Sequence, residues 1–531
     1  MSNFTTRKLF LLPSLDLDVK EREKMDKFLK LLEKSNVESL FPNRKIDDSF
    51  NGGRPPYNYH NLLAVVLYGF AFSSPTLRDI ETSCKYDLRY MYLAEQELYK
   101  HSVIGNFIND VIVPSRDKVF SYITRAIVEE CGLDISEVFI DGTKFEADAN
   151  KYKFVWKPTK FHLKLSDKIR KLLKEINLNK NVPEEGIIDS KLIAYKLTEL
   201  DELVKSDESL SNSYNILYQF LLKSLEYEEK ERICGPNRNS YYKTDHDATA
   251  MALKTDYYSG LGSNMHAAYN TQIAVSKGII CAYYTSQSRT DIKDFIETLV
   301  RFNNFFGYYP KIVCADAGYG SLDNYRFLYN HNIENYVKYF TWEGNVSGKR
   351  PDMYKLNKDL TITCLNGNNG KRVEITNRHP RKAEALFYKV DGCNNCNFKP
   401  YCKRYTKNKD EDFKIFEVVI DLIKYKQEAE NNLLSPKGIE LRINRSAQVE
   451  GAYGVIKQDM NYTRSRRTSI SKVETEHMLT YLGYNIRKLF RFYDDKAKFD
   501  YWIAPKDLKP EEFKKPSFKR LNKKAKRKEA V

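Results

Sequence analysis

The chain has 531 residues, 42% apolar and 13% aromatic, with 87 Lys and Arg against 71 Asp and Glu and a net charge of +16. That length allows three or four units of about 150 residues, and the composition excludes a disordered chain, a collagen-like chain and a small disulfide scaffold. The longest strongly apolar run, Leu62 to Phe72, falls short of the about 20 residues a spanning helix needs. Met1 to Leu12 lacks the apolar core and cleavage site of a signal peptide, so a soluble, cytoplasmic protein with no membrane partner is expected. The positive excess favours a polyanion such as nucleic acid. It is uneven: Lys514 to Lys528 has nine Lys or Arg, a phosphate-seeking tail, and Leu433 to Tyr493 has eleven against five acids in a stretch that reads as folded.

Residues 1–130 read as helical. Val19 to Ser35 sets Phe28, Leu31 and Leu32 on one helical face. Asn51-Gly52-Gly53-Arg54-Pro55-Pro56 breaks the chain before a helix from about His60 to Ala71. Ser73-Ser74-Pro75 stops that helix, and Ser74 can cap a second, which carries Arg78. Helix, turn, helix suits a DNA reader and equally an ordinary helical hairpin.

Glu137 to Lys144 is an apolar strand that ends in Asp141 followed by Gly142. Over 160–232, Ile169, Leu172, Leu173 and Ile176 keep helical spacing, which predicts a helical hairpin inserted after that strand. Strands follow at Met265–Val275, Gly278–Ser286 and Lys311–Ala315, with a helix at Asp291–Phe305 before the last of them. This last strand again ends in a carboxylate before small residues, Asp316-Ala317-Gly318. A helix over 321–331, a short strand Asn335–Tyr339 and a Gly- and Asn-rich irregular section over 341–412 come next. Helices run from about Ile443 to Met460 and from Val473 to Tyr493.

Without its inserts this is the element order of an α/β, ribonuclease-H-like mixed sheet flanked by helices. The expected organisation is an α-helical N-terminal DNA-binding domain at 1–130, a catalytic core at 131–159, 236–340 and 433–495, a helical insert at 160–235, a Cys-rich insert at 341–432 and a basic tail at 496–531. In that fold the first and fourth strands lie side by side, which makes Asp141 and Asp316 neighbours. Adjacent carboxylates repel and are costly to desolvate. A hard divalent cation, Mg²⁺ or Mn²⁺, relieves this. Glu450, on one helical face with Tyr453 and Lys457, can be a third acid while Val449, Ala452 and Ile456 pack inward. Three carboxylates around two metals suit phosphoryl transfer, and Arg464, Arg466 and Arg467 can contact DNA phosphates.

Several local texts carry a resemblance. Asn51-Gly52-Gly53-Arg54-Pro55-Pro56-Tyr57 and Leu77-Arg78-Asp79-Ile80-Glu81 lie near the N-terminus. Phe139-Ile140-Asp141-Gly142-Thr143-Lys144, Asp245-His246-Asp247-Ala248, Tyr269-Asn270-Thr271-Gln272 and Ala315-Asp316-Ala317-Gly318-Tyr319 follow. The last is Arg445-Ser446-Ala447-Gln448-Val449-Glu450-Gly451-Ala452-Tyr453-Gly454-Val455-Ile456-Lys457. Together they resemble the insertion-sequence DDE transposases over nearly the whole chain. The resemblance implies Asp141, Asp316 and Glu450 as the catalytic, metal-binding triad, with Lys457 assisting. It implies Mg²⁺ or Mn²⁺, cleavage of double-stranded DNA at the element's terminal inverted repeats, strand transfer into target DNA, and a homodimer holding two ends. The wider group's Tyr-Arg-Glu-Lys signature has Arg four residues before Glu. Here that position is Ser446, and Arg445 stands one residue earlier.

Of nine cysteines, Cys393-x2-Cys396-x5-Cys402, with Cys364 upstream, can form a structural Zn²⁺ site or remain reduced thiols. The other five read as reduced core residues. Asp245, His246 and Asp247 read as a loop or helix cap, Glu146 and Asp148 as surface groups, and Trp156, Trp342 and Trp502 as core or interface residues that could otherwise stack on a flipped base. Two other functions fit the same residues: a metal-dependent nuclease of this fold that cuts without joining, and a non-catalytic DNA-binding derivative.

Overall fold

The computed structural model describes residues 17–41, 57–72, 76–254, 265–375, 384–406, 409–494, 503 and 508–514. The Ser74 cap, most of the Asn51–Tyr57 motif, Trp502 and nearly all of the basic tail lie outside them. The described chain opens with helices α1 (Val19–Lys34), α2 (Tyr59–Phe72), α3 (Leu77–Tyr86), α4 (Leu88–Leu93), α5 (His101–Phe107) and α6 (Val113–Glu130). Asp18 caps α1, and Met25, Phe28, Leu31 and Leu32 form its buried face. Residues 61–71 of α2 are all buried, as in a core helix. Thr76 caps α3, its Oγ1 accepting from the Asp79 N–H at 3.1 Å.

The core then builds from β1 (Glu137–Glu146), β2 (Phe154–Trp156), helices α7 (Thr159–Glu175), α8 (Ser190–Val204) and α9 (Ser211–Cys234), and strands β3 (Ser240–Tyr242), β4 (Thr249–Met251), β5 (His266–Ser276) and β6 (Ile279–Ser286). Helix α10 (Asp294–Phe306), β7 (Ile312–Ala315), α11 (Leu322–Asn330) and β8 (Glu334–Val337) complete it. The main sheet runs β6-β5-β1-β7-β8, with β4 also on β5. It is mixed: β1 is antiparallel to β5 and parallel to β7, and β7 is parallel to β8. The sequence predicts a strand ending at Asp141, but β1 continues to Glu146 because β5 keeps pairing with it, Asp141 opposite Ile273 and Glu146 opposite Ala268.

The insert after β1 is three helices rather than a hairpin. Asn177 (φ 57°), Pro183 and Gly186 (φ 89°) break the chain after α7, Asp189 caps α8, and Ile169, Leu173, Ile193, Leu200 and Leu217 share a separate small core. The section read as irregular holds α12 (Trp342–Val346), β9 (Tyr354–Leu356), β10 (Ile362–Cys364), β11 (Asn369–Val373), β12 (Leu386–Asp391), α13 (Lys399–Cys402) and β13 (Phe413–Val418). Its strands form a five-stranded sheet in the order β13-β12-β11-β10-β9. Strands of three to six residues are too short for the alternation to stand out from the surrounding Gly and Asn.

Helices α14 (Ile420–Leu434), α15 (Pro436–Arg445) and α16 (Ile470–Asp494) close the fold. The predicted start at Ile443 is too late: Ser435 caps α15, accepting from the Gly438 N–H, and Pro436 opens it. Beyond α15 the helix continues as two π-turns, Ser446–Glu450 and Val455–Asp459, around Gly451–Gly454. α16 lies between the sheet and α2. Its Asn485 exchanges hydrogen bonds with the Ile280 backbone at 2.8 and 2.9 Å. Gly483 permits the close approach to α2, since a Cβ there would lie 2.6 Å from the Phe70 carbonyl oxygen. One hydrophobic core runs from Met25 and Leu62 through Ile140 and Val313 to Phe490.

Candidate active site

Ile140 of β1 pairs with Ala315 of β7. Asp141 is the next residue of β1 and Asp316 the first after β7, about 5 Å apart along the hydrogen-bonding direction. Asp316 begins a tight 3₁₀ turn, Ala317–Tyr319. Behind the pair, the Gln272 side chain crosses Gly142: a Cβ there would lie 2.8 Å from the Gln272 amide carbon. From that place Gln272 donates to Asp291 at 3.0 Å and accepts from the Tyr319 hydroxyl. One amide of β5 thus packs over Gly142, beside Asp141, and holds the turn that follows Asp316, and Gly142 makes room for it.

The helix after α15 brings Glu450 to the same place. Arg445 Nη1 lies 3.9 Å from Asp141 Oδ2, and its Nη2 lies 3.4 Å from Glu450 Oε1. The π-turn explains the displaced arginine. In an α-helix residues four apart share a face, whereas a turn with i→i+5 bonds takes in one more residue. Arg445, five residues before Glu450, thus reaches it, and Ser446 also donates to Glu450 Oε2 at 2.9 Å. Tyr453 donates to the backbone carbonyls of Asp141 and Thr271, both at 3.2 Å.

Burial pushes the Asp141 carboxyl up to about 6; the Arg445 charge and the Gly142 N–H oppose the rise, and Asp316 adds to it. Lys457 donates to Thr143 Oγ1 at 2.6 Å. Burial, with Lys254 nearby, holds its ammonium below the usual lysine value, while Asp141 pulls the other way. Lys338 Nζ lies 3.9 Å from Asp316 Oδ1 and 3.1 Å from Glu343. Lys254, Lys338 and the Gln272 bridge escaped the sequence reading. Gln272 and Tyr319 stand in the quoted motifs, but nothing in the sequence singles out either lysine.

Arg464 pairs with Asp148 at 2.9 Å and lines a cleft of about 270 Å³ with Arg466, Asn461 and Thr463. Arg467 instead turns to Asn109 at 2.7 Å, and Arg78 is exposed on α3, on a different element. Asp245 and Asp247 are caps as expected: they accept from the Ser469 and Ile470 N–H groups at the start of α16. Trp156 is half exposed and Trp342 is buried.

A model of the transposase DDE domain matches residues 363–490, and a model of a transposase domain, DUF772, matches residues 14–110. These two matches support an insertion-sequence DDE transposase. No curated protein and no solved structure matches it. The DDE match includes Arg445, Glu450 and Lys457 of the chain but neither aspartate. Among the described residues no three carboxylate, cysteine or histidine side chains stand close enough to hold an ion, and no helix is long and apolar enough to cross a membrane. The acid set still suits a hard divalent cation in its chemistry: the aspartates repel, and a cationic guanidinium already lies between Asp141 and Glu450. Glu450, 56% exposed, has room to turn. Cys364, Cys393, Cys396 and Cys402, drawn from β10, the β12–α13 loop and α13, line one cavity of about 20 Å³ in the second sheet, and all four are free thiols.

Proposed function

We propose that the chain is a metal-dependent DNA transposase that cleaves element ends and transfers the freed strand into target DNA. The observation that carries this reading is the juxtaposition of Asp141 on β1 with Asp316 at the end of the adjacent parallel strand β7, with Glu450 joined to Asp141 through Arg445. The order β6-β5-β1-β7-β8 supports a ribonuclease-H-like core, because the third, second, first, fourth and fifth strands of that core then lie in sequence across the sheet. Asp141, Asp316 and Glu450 would hold Mg²⁺ or Mn²⁺, which when bound activates an attacking oxygen and neutralises the leaving one. Arg445 holds Glu450 and Asp141 in one charge cluster. Tyr453, kept protonated well above the usual tyrosine value by burial first and then by neighbouring groups including Asp141, fixes the backbone beneath Asp141. Lys457 presents a cation to the substrate backbone beside Thr143, and Arg464 and Arg466 line a cleft suited to phosphates. Two element ends require two such sites, hence a homodimer on double-stranded DNA. The four cysteines that line the cavity have the chemistry of a structural Zn²⁺ site and would have to draw together around the ion.

Asp316→Asn tests this. It should abolish cleavage of element-end DNA in Mg²⁺ and leave duplex binding within about 2-fold, since one carboxylate among many phosphate contacts changes little. Undiminished cleavage would remove Asp316 from the site. Cleavage without joining in a strand-transfer assay on wild-type protein would favour the nuclease reading.

A further inference from the structure

Residues 151–157 read Lys-Tyr-Lys-Phe-Val-Trp-Lys. Tyr152, Phe154 and Trp156 are 81%, 44% and 50% exposed. Spacing of two puts Phe154 and Trp156 on one face of β2, their rings edge to face with centroids 5.7 Å apart. Among the described residues β2 pairs with β3 alone, as a two-stranded sheet. Three neighbouring aromatics left in water form a patch of the kind that marks a binding surface rather than a fold requirement.

The cations around the rings indicate the occupant. Lys151 stands 5.2 Å over the Tyr152 ring and Arg289 stands 5.6 Å over Trp156. Lys153 is exposed between them. Lys157 is engaged elsewhere, donating to the Gly235 carbonyl at 2.7 Å. Exposed rings set at an angle to each other, with positive charge interleaved, suit a strand whose separated bases each turn onto a ring while the phosphates meet the cations. Duplex bases hide their faces in the helix, so the match is to unpaired nucleotides. Arg289 also links the patch to the acid site. Its Nη2 donates to Ser240 Oγ at 3.4 Å, opposite Trp156 across β2 and β3, and two residues on Asp291 accepts from the Gln272 amide that lies against Gly142.

We propose that Tyr152, Phe154 and Trp156, with Lys151, Lys153 and Arg289, form a stacking surface for unpaired DNA next to the active site. It rests on the reading that the chain acts on DNA and adds that a separated strand is held during the reaction. The test is fluorescence anisotropy of a labelled oligothymidylate of about 12 nucleotides with the full chain. Phe154→Ala and Trp156→Ala should each weaken binding by about 5- to 150-fold, with blunt duplex binding changed by less than about 2-fold. Trp156→Phe should retain most of the affinity. All three positions are exposed, so folding should survive, and unchanged far-UV circular dichroism checks that. The proposal is overturned if the alanine variants bind the oligonucleotide like wild type, if they lose single strand and duplex equally, or if they change only the oligomeric state. Cleavage surviving in Asp316→Asn alongside the expected oligonucleotide losses would remove the catalytic reading and leave the stacking surface. The opposite pair of outcomes would do the reverse.

Discussion

Asp141 concentrates the electrostatic cost of the site. Its folded value of about 6 exceeds the ordinary 3.8, mainly through burial. The folded state therefore favours the protonated carboxyl. That stabilisation is complete below 3.8 and is lost as pH rises through about 6. Asp141→Asn removes the charge at constant shape, so it should raise stability at about pH 7.5 by up to about 3 kcal/mol and have no effect near pH 4. Thermal unfolding at the two pH values measures this, and a gap of equal size at both would mean that packing rather than charge is responsible. Mg²⁺ should narrow the gap at neutral pH by stabilising the wild type alone. Stability given up at a carboxylate and recovered with a cation is the pattern expected of a site built for one.

At the scale of elements, π-turns and short strands do the positioning. The Ser446–Glu450 π-turn turns an arginine one residue out of register into a partner of Glu450, a correction that a spacing rule cannot supply. The second sheet, β9 to β13, gathers cysteines from 364 to 402 around one small cavity. Protein purified without chelator should contain about one zinc per chain, and Cys396→Ser should lose it. Metal analysis by plasma mass spectrometry reads this directly. Wild-type protein free of zinc, with four thiols titratable by a sulfhydryl reagent, would assign the cavity to reduced cysteines.

Across the whole molecule, the N-terminal helices and the sheet are bound by charge as well as by their common core. Glu474 of α16, 4% exposed, meets Arg116 of α6 and Arg301 of α10, each at 2.8 Å. Tyr283 and both arginines also engage Asp117. Removing one member of such a buried set strands the others. Glu474→Ala should therefore cost about 3–5 kcal/mol in urea denaturation, while a loss below about 1 kcal/mol would mean the arginines find other partners. This network holds the α6 side of the N-terminal region firmly against the core that carries the acids.

The sequence by itself determined the helical N-terminal region, the strands bearing Asp141 and Asp316, the helix bearing Glu450, and the cysteine cluster. Each is a local pattern: an apolar run meeting an acid, a 3.6-residue repeat, a Cys-x2-Cys spacing. Only the tertiary structure decided that β1 runs past Asp141, because β5, 120 residues on, keeps pairing with it. It also decided that the helical insert has three members, that the Gly- and Asn-rich section is a sheet, and that Lys254, Lys338 and Gln272 surround the acids. These depend on contacts between residues far apart in the chain, where hydrogen-bond register and side-chain packing choose among conformations that local sequence leaves nearly equal in free energy.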